Sequence, residues 1–389
     1  MKKNAKKKRQ HYIPQYYLKN FSNGGEYINV FLFKSRKCLK NNIKNLCKED
    51  FFYGSDDKAI EFEQNLSLIE RMHRNLLNKI IQNMNLDYVD YDEYVGLLTF
   101  ILLQISRTRS AKKNSHYLAN LINKGYRLNE KISSPSPSDI EAFKDLPRDL
   151  VNDINNQYRR AFGLTMLGAI NSIEGIMDLK PTLLINISQK NYICGDSPVV
   201  LYNGIKFNNK RLTGLLTPGL QIFCPINNEI TLFFYDSNAY NIDFDYESIV
   251  YVDNESDINS LNKLQISNAL DYVLFSDINQ KQNIEEIYSE IDSIVDNVFK
   301  YNFGSYENGE QILKRINGNM VQIFGFLAKK TNYTLNLSFI HLNNRYADFY
   351  KKQYDELLKD HPFPNPIRNK DLADKALERL EKSYKKLLN

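Results

Sequence analysis

The segment YVGLLTFILLQI, residues 94–105, constrains the fold more than any other stretch of the chain. It is too short to span a bilayer, which takes about 20 consecutive apolar residues, yet it is apolar almost all round. A helix without a polar face belongs inside a protein core. The pattern predicts such a helix over about 90–113. A second is predicted over about 59–84, where Leu66, Ile69, Leu76, Leu77, Ile80 and Ile81 recur at helical spacing. At 389 residues the chain can bury a large core, and its length allows two or three domains.

Elsewhere the signals alternate between helix and strand. GEYINVFLFKSRKCL (25–39) follows a Gly-Gly turn with strand-like residue density and reads as a hairpin. ISSPSPSD (132–139) is a loop, with Ser138 and Glu141 at capping-box spacing for the next helix. A long helix is expected over about 148–179, and Pro181 marks a change of style. From 182 to 235 come the short strands TLLINIS, NYIC, VVLY, LQIFC and EITLFFY, with Asn227-Asn228 as the turn between the last two. Helices are expected at about 256–275 and 282–301. YTLNLSFI (333–340) alternates like a half-buried strand. From Asn369 a mixed-charge helix carries Leu377, Leu380, Tyr384 and Leu387 as its apolar stripe. There are no internal repeats and no long flexible linker.

The expected class is α+β: a mostly helical body with a smaller, mainly antiparallel β region in the middle of the chain. The expected division is a disordered basic tail (1–10), a main α+β domain (11–305) and a C-terminal appendage of a strand plus helices packed on it (306–389).

The net charge of +5 comes from one end. Lys2, Lys3, Lys6, Lys7, Lys8 and Arg9 crowd a segment without an acid, and the remainder is near neutral. Such a tail can hold nucleic-acid phosphates or anionic lipid by counterion release. It suits a solubilising end equally well. The chain is rich in Lys, Asn, Ile and Tyr and lacks Trp, as an AT-rich gene would dictate, so its 12% aromatics are no argument for base stacking. The four cysteines, Cys38, Cys47, Cys194 and Cys224, show no zinc-site spacing and fit a reducing compartment. No apolar run follows the lysines as in a secretory signal. The expectation is a soluble cytoplasmic protein.

No Walker A loop, G-x-G-x-x-G, H-E-x-x-H or G-x-S-x-G motif is present. Candidate chemistry therefore rests on polar residues in unusual company. His11 precedes Pro14, which suits the first turn of a helix docked through Tyr17, Leu18 and Phe21. That turn could hold a neutral imidazole at a cleft as an acid–base group, or the ring could simply satisfy backbone groups. Glu63 and Glu70 lie two turns apart on one helix face, where they could bind Mg²⁺ or Mn²⁺ or face solvent. Glu70 with His73 has the i, i+3 spacing of bundle metal sites, in one copy only.

Gln104 and Arg107 end the apolar helix at i, i+3. An Arg entering a dry region needs a carboxylate from the protein, for which Glu63 and Glu70 are the candidates, or a phosphate from a ligand. Asp196, in CGDSPVV (194–200), sits at a strand end before Pro198. Metal ligands and general bases occupy such positions, and so do loop-closing Asx turns. Ser197 lacks an elbow motif, and His116, His341 and His361 have no company.

Taken in order, these pieces resemble the family catalogued as domain of unknown function 4238. The carrying features are HYIPQYYLKNF at 11–21, the E-x6-E pair Glu63 and Glu70, QISRT at 104–108, GDSPVV at 195–200, LQIFCPI at 220–226 and LNKLQISNA at 261–269. The resemblance covers roughly residues 10–280. His73 is outside the pattern, and Cys194 and Gly195 depart from the residues expected there. The resemblance implies a cytoplasmic protein of bacteria or phages, some members being encoded among anti-phage defence genes, and it brings no established reaction.

Two functions are compatible with this set. In the first, the chain is a defence effector, a nuclease on RNA or DNA. His11 is then acid–base; Glu63, Glu70 and Asp196 hold Mg²⁺ or Mn²⁺; Gln104 and Arg107 clamp the phosphate; and Lys6, Lys7, Lys8 and Arg9 grip nucleic acid. In the second, it is a sensor or binding module for a phage component or partner protein, and the polar set is structural.

Overall fold

The computed structural model describes residues 9–22, 24–54, 57–116, 154–209, 211–291, 334–360 and 366–388. Strand β1 (Arg9–His11) leads through an extended Pro14 (φ −64°, ψ 143°) into the short helix α1 (Gln15–Lys19). The ring of Pro14 presets the φ that a helix start needs. Tyr17, Leu18 and Phe21 are fully buried, so the expected docking of this turn holds. Strands β2 (Tyr27–Leu32) and β3 (Lys37–Asn42) form the expected hairpin, in register from Tyr27 opposite Asn42 to Leu32 opposite Lys37. Strand β4 (Lys48–Asp50) folds back on β1 and sets Lys48 opposite His11.

Two helices follow, α2 (Asp57–Asn83) and α3 (Tyr91–Ser106). Asp90 caps α3 with a capping box: its carboxylate accepts from the Glu93 N–H at 2.9 Å, and Glu93 accepts from the Asp90 N–H. The centre of α3 is buried on every side, as its sequence requires. It stops short of the predicted 113: Arg107 leaves the helical conformation (φ −104°, ψ 11°), and a separate helical stretch covers 109–116. Helix α4 (Ile154–Ile170) packs on α3 and gives way to a 3-10 turn at 173–176, so the long helix expected to 179 is also shorter. The expected loop at 132–139 lies outside the described residues.

The β-rich middle comprises β5 (Lys180–Asn186), β6 (Cys194–Gly195), β7 (Val200–Asn203), β8 (Leu220–Pro225), β9 (Ile230–Tyr235), β10 (Tyr240–Ile242) and β11 (Ile249–Val252). Helix α5 (Glu255–Asn268) and strand β12 (Tyr272–Phe275) come next. The five-stranded sheet runs β11-β5-β9-β8-β7 and is antiparallel except for β11 with β5. A four-stranded antiparallel sheet runs β3-β2-β12-β6. Strands β8 and β9 are buried at every residue, which is why LQIFC and ITLFFY read as unbroken apolar runs. Asn227 closes their turn, its side-chain oxygen accepting from the Glu229 N–H at 2.9 Å.

Pro181 marks the expected change of style, as the second residue of β5, opposite Phe234. Two other expectations change. The helix expected over 256–275 ends at Asn268, and its last residues form β12 instead, because Asp196 captures the N–H groups of Leu270 and Asp271. Over its described residues, 334–340, YTLNLSFI forms no strand before Ile340, although Leu337 and Phe339 are buried as its alternation demands. Side chains replace the ladder there: Tyr202 accepts from the Leu335 N–H at 2.8 Å and Asp257 from the Ser338 N–H at 3.1 Å.

Strand β13 (Ile340–Leu342) pairs with β10, and helices α6 (Asn344–Asp360) and α7 (Lys370–Leu388) follow. Between them Arg368 donates to Asp178 at 2.7 Å and to the carbonyls of Thr217 and Gly175, which ties this segment to the β-rich middle. The architecture is α+β with mainly antiparallel sheets. Among the described residues no helix is long and apolar enough to cross a membrane.

Candidate functional site

The end of α3 meets the middle of α2 at one ion pair. Arg107 Nη1 donates to Glu70 Oε1 at 2.7 Å; the guanidinium side chain is 1% exposed and the carboxylate side chain 25%. Burial weighs against the Arg107 charge, but Tyr53, Glu70 and Tyr16 outweigh it and hold its pKa above the usual value. Gln104, one turn earlier on α3, is equally buried.

The β1–α1 entry supplies the other wall. Tyr53 donates its hydroxyl to the His11 carbonyl at 3.1 Å, and its N–H to Gln10 Oε1 at 2.7 Å. Arg107, Glu70 and Glu63 all act electrostatically on the Tyr53 phenol, whose pKa burial drives well upward. Gln10 Nε2 in turn reaches Glu63 Oε2 at 3.5 Å and the Gly54 carbonyl at 3.2 Å. Tyr53 is thus a hub that brings the His11 main chain and the side chains of Glu63, Glu70 and Arg107 into one neighbourhood. His73 packs edge-on to Phe100, with ring centroids 5.5 Å apart. Burial first, and Arg107 second, push its pKa down to about 4, so the ring is neutral at ordinary pH.

Asp196 stands apart. Its Oδ1 accepts from the Leu270 N–H at 2.6 Å and its Oδ2 from the Asp271 N–H at 2.9 Å. Its electrostatic neighbours include Tyr12, Cys47, Cys194 and Tyr272. Glu63, Glu70 and Asp196 therefore do not gather as a ligand set, and among the described residues no three of His, Cys, Asp or Glu are placed to hold a metal ion. Burial pushes the Cys224 thiol up to about 12, and Cys47 and Cys194 upward as well, so these three are protonated and inert. Arg9 opens β1 and is exposed; Lys6, Lys7 and Lys8 lie outside the described residues.

The motifs singled out by sequence brace one another. From the first, Tyr17 donates to the Pro225 carbonyl and Asn20 to the Ile226 carbonyl at 3.1 Å, both in LQIFCPI. LNKLQISNA clasps GDSPVV: Gln265 accepts from the Gly195 N–H at 3.0 Å and donates to the Pro198 carbonyl at 2.8 Å. Asn268 donates to the carbonyls of Ser197 and Val199. The Glu63–Glu70 and QISRT motifs join through the ion pair. Tyr16, Tyr53 and Gln10 were not singled out from sequence. With 26 tyrosines in the chain, no spacing separates these two from the rest.

Neither a curated protein nor a solved structure matches the chain. The family model described as Protein of unknown function (DUF4238) matches residues 9–279, a span that takes in every one of these interlocking motifs, and the chain belongs to that family.

Proposed function

We propose that this protein is a binding module that senses a ligand or partner, with the Glu70–Arg107 network as its recognition centre in the resting state. One observation carries the reading. Arg107, the group best suited to clamp a phosphate, is 1% exposed and already engaged by Glu70. A constitutive hydrolase keeps its clamp open to substrate, whereas a sensor keeps its centre closed until a partner opens it. Asp196 supports the same reading, since both its oxygens serve the backbone. In the setting that the family resemblance implies, the partner is a phage component or a second protein in the cytoplasm.

A phosphodiester hydrolase acting on RNA or DNA is the second reading, and the gathering of Glu63 and Glu70 around Tyr53, which also holds the His11 main chain, favours it. Glu70 would activate a water, Arg107 would hold Glu70 in place, and His11 would move the proton. Incubating the purified full chain with total RNA and plasmid, with and without Mg²⁺ or Mn²⁺, separates the two. The binding reading expects intact nucleic acid throughout. Cleavage that disappears in Glu70→Gln and His11→Ala would establish the hydrolase instead.

A further inference from the structure

Around Arg107 the protein leaves hydrogen-bond donors unused. Arg107 Nε and Gln104 Nε2 are buried, and neither finds an acceptor among the described residues. The Tyr16 hydroxyl, within electrostatic reach of both Arg107 and Glu70, is buried without a partner there too. An unmade buried hydrogen bond costs about 1–3 kcal/mol, so three in one neighbourhood mark the place of a missing acceptor. The groups come from two unrelated elements, α1 and the end of α3.

We infer that this centre receives a phosphomonoester, the terminal phosphate of a nucleotide or nucleic-acid strand, which displaces Glu70 from Arg107. The inference rests on the binding reading above and names the chemistry of its ligand. Glu70 supplies an oxygen to Arg107 Nη1, as a phosphate would, and at 25% exposure it can swing into water when replaced. A monoester carries about 1.5 to 2 negative charges near neutral pH, more than the carboxylate it displaces. It also brings enough oxygens for the idle Nε, amide and phenol donors. An internal diester has chain leaving on both sides and cannot reach a guanidinium 1% exposed behind α2. A phosphate attached on one side can. Nucleic acid is favoured over a phosphopeptide because the basic run Lys6–Arg9 joins the fold at β1, two residues before His11.

The test is thermal unfolding of the full chain with inorganic phosphate, followed by one short oligonucleotide with and without terminal phosphates and by a phosphoserine peptide. Phosphate should raise the midpoint of the wild type. Glu70→Gln removes the competing charge and should bind phosphate about tenfold more tightly, within the usual range for coupled groups. Gln104→Leu and Tyr16→Phe should each weaken binding, and the oligonucleotide should bind only when terminally phosphorylated. No phosphate-dependent shift in Glu70→Gln, or equal shifts in Gln104→Leu, Tyr16→Phe and wild type, would overturn the site. Preference for the phosphopeptide would overturn the choice of nucleic acid. Glu70-dependent cleavage of the oligonucleotide would instead overturn the binding reading and leave the phosphate site standing.

Discussion

Arg107, where α3 gives out, donates from its Nη1 to Glu70 Oε1 on α2 at 2.7 Å, with the cation sealed and the anion a quarter exposed. The inequality has consequences. A buried cation depends on its carboxylate, whereas a carboxylate that water can reach depends less on its cation. Glu70 is therefore the partner that can move, and Arg107 the one that waits.

Asp196→Ala should destabilise the fold by about 3 kcal/mol, because it strips acceptors from two N–H groups at the end of α5. Asp196→Asn keeps one acceptor and should cost less. Neither should alter phosphate binding at Arg107. Urea unfolding with parallel phosphate titrations checks this; a stable Asp196→Ala that loses binding or metal-dependent activity would place Asp196 in the functional site.

His73 predicts an acid-sensitive fold. Its pKa is pushed down to about 4 in the folded chain, from an ordinary 6.5. Between those values the unfolded chain binds a proton that the folded chain refuses. Stability is thus full above about pH 6.5 and falls as pH drops towards 4, by about 1.4 kcal/mol per pH unit from this group. In His73→Leu the unfolding free energy should lose that part of its pH slope, and an unchanged slope would contradict the assignment.

The thiols should divide one against three. Cys38 is partly exposed, while Cys47, Cys194 and Cys224 are buried and protonated. A thiol reagent near neutral pH should label the native chain once, and Cys38→Ser should abolish that labelling. Rapid reaction at any of the other three would contradict the packing around Tyr17 and Tyr272.

Much of this was legible in the sequence wherever a residue's fate depends on near neighbours. The unbroken apolar run of α3, the turn at Pro14 and the Asn227 turn are local decisions. Arg107 could be read as well, since an arginine closing an apolar helix must find an anion, and Glu70 was among the two candidates. What failed depended on distant partners. Asp196 stops α5 from 74 residues away, and Ser338 leaves its strand for Asp257 across 81 residues. Tyr53 takes its meaning from His11, Glu63, Glu70 and Arg107 together, which no spacing encodes. The C-terminal stripe is only partly visible: Leu377 is exposed, and the side chains of Leu380, Tyr384 and Leu387 lie outside the described residues.

The centre of the account is the direct pairing of Glu70 with Arg107, and a double-mutant cycle on unfolding free energy tests it most directly. Glu70→Gln leaves a buried cation without its counter-charge and should cost more than Arg107→Met, which leaves a carboxylate that water can reach. The double variant should be more stable than the sum of the single losses by about 2 kcal/mol, the signature of groups in contact. Losses that add to within about 0.5 kcal/mol would mean that the two side chains do not meet, and the closed recognition centre would fall with them.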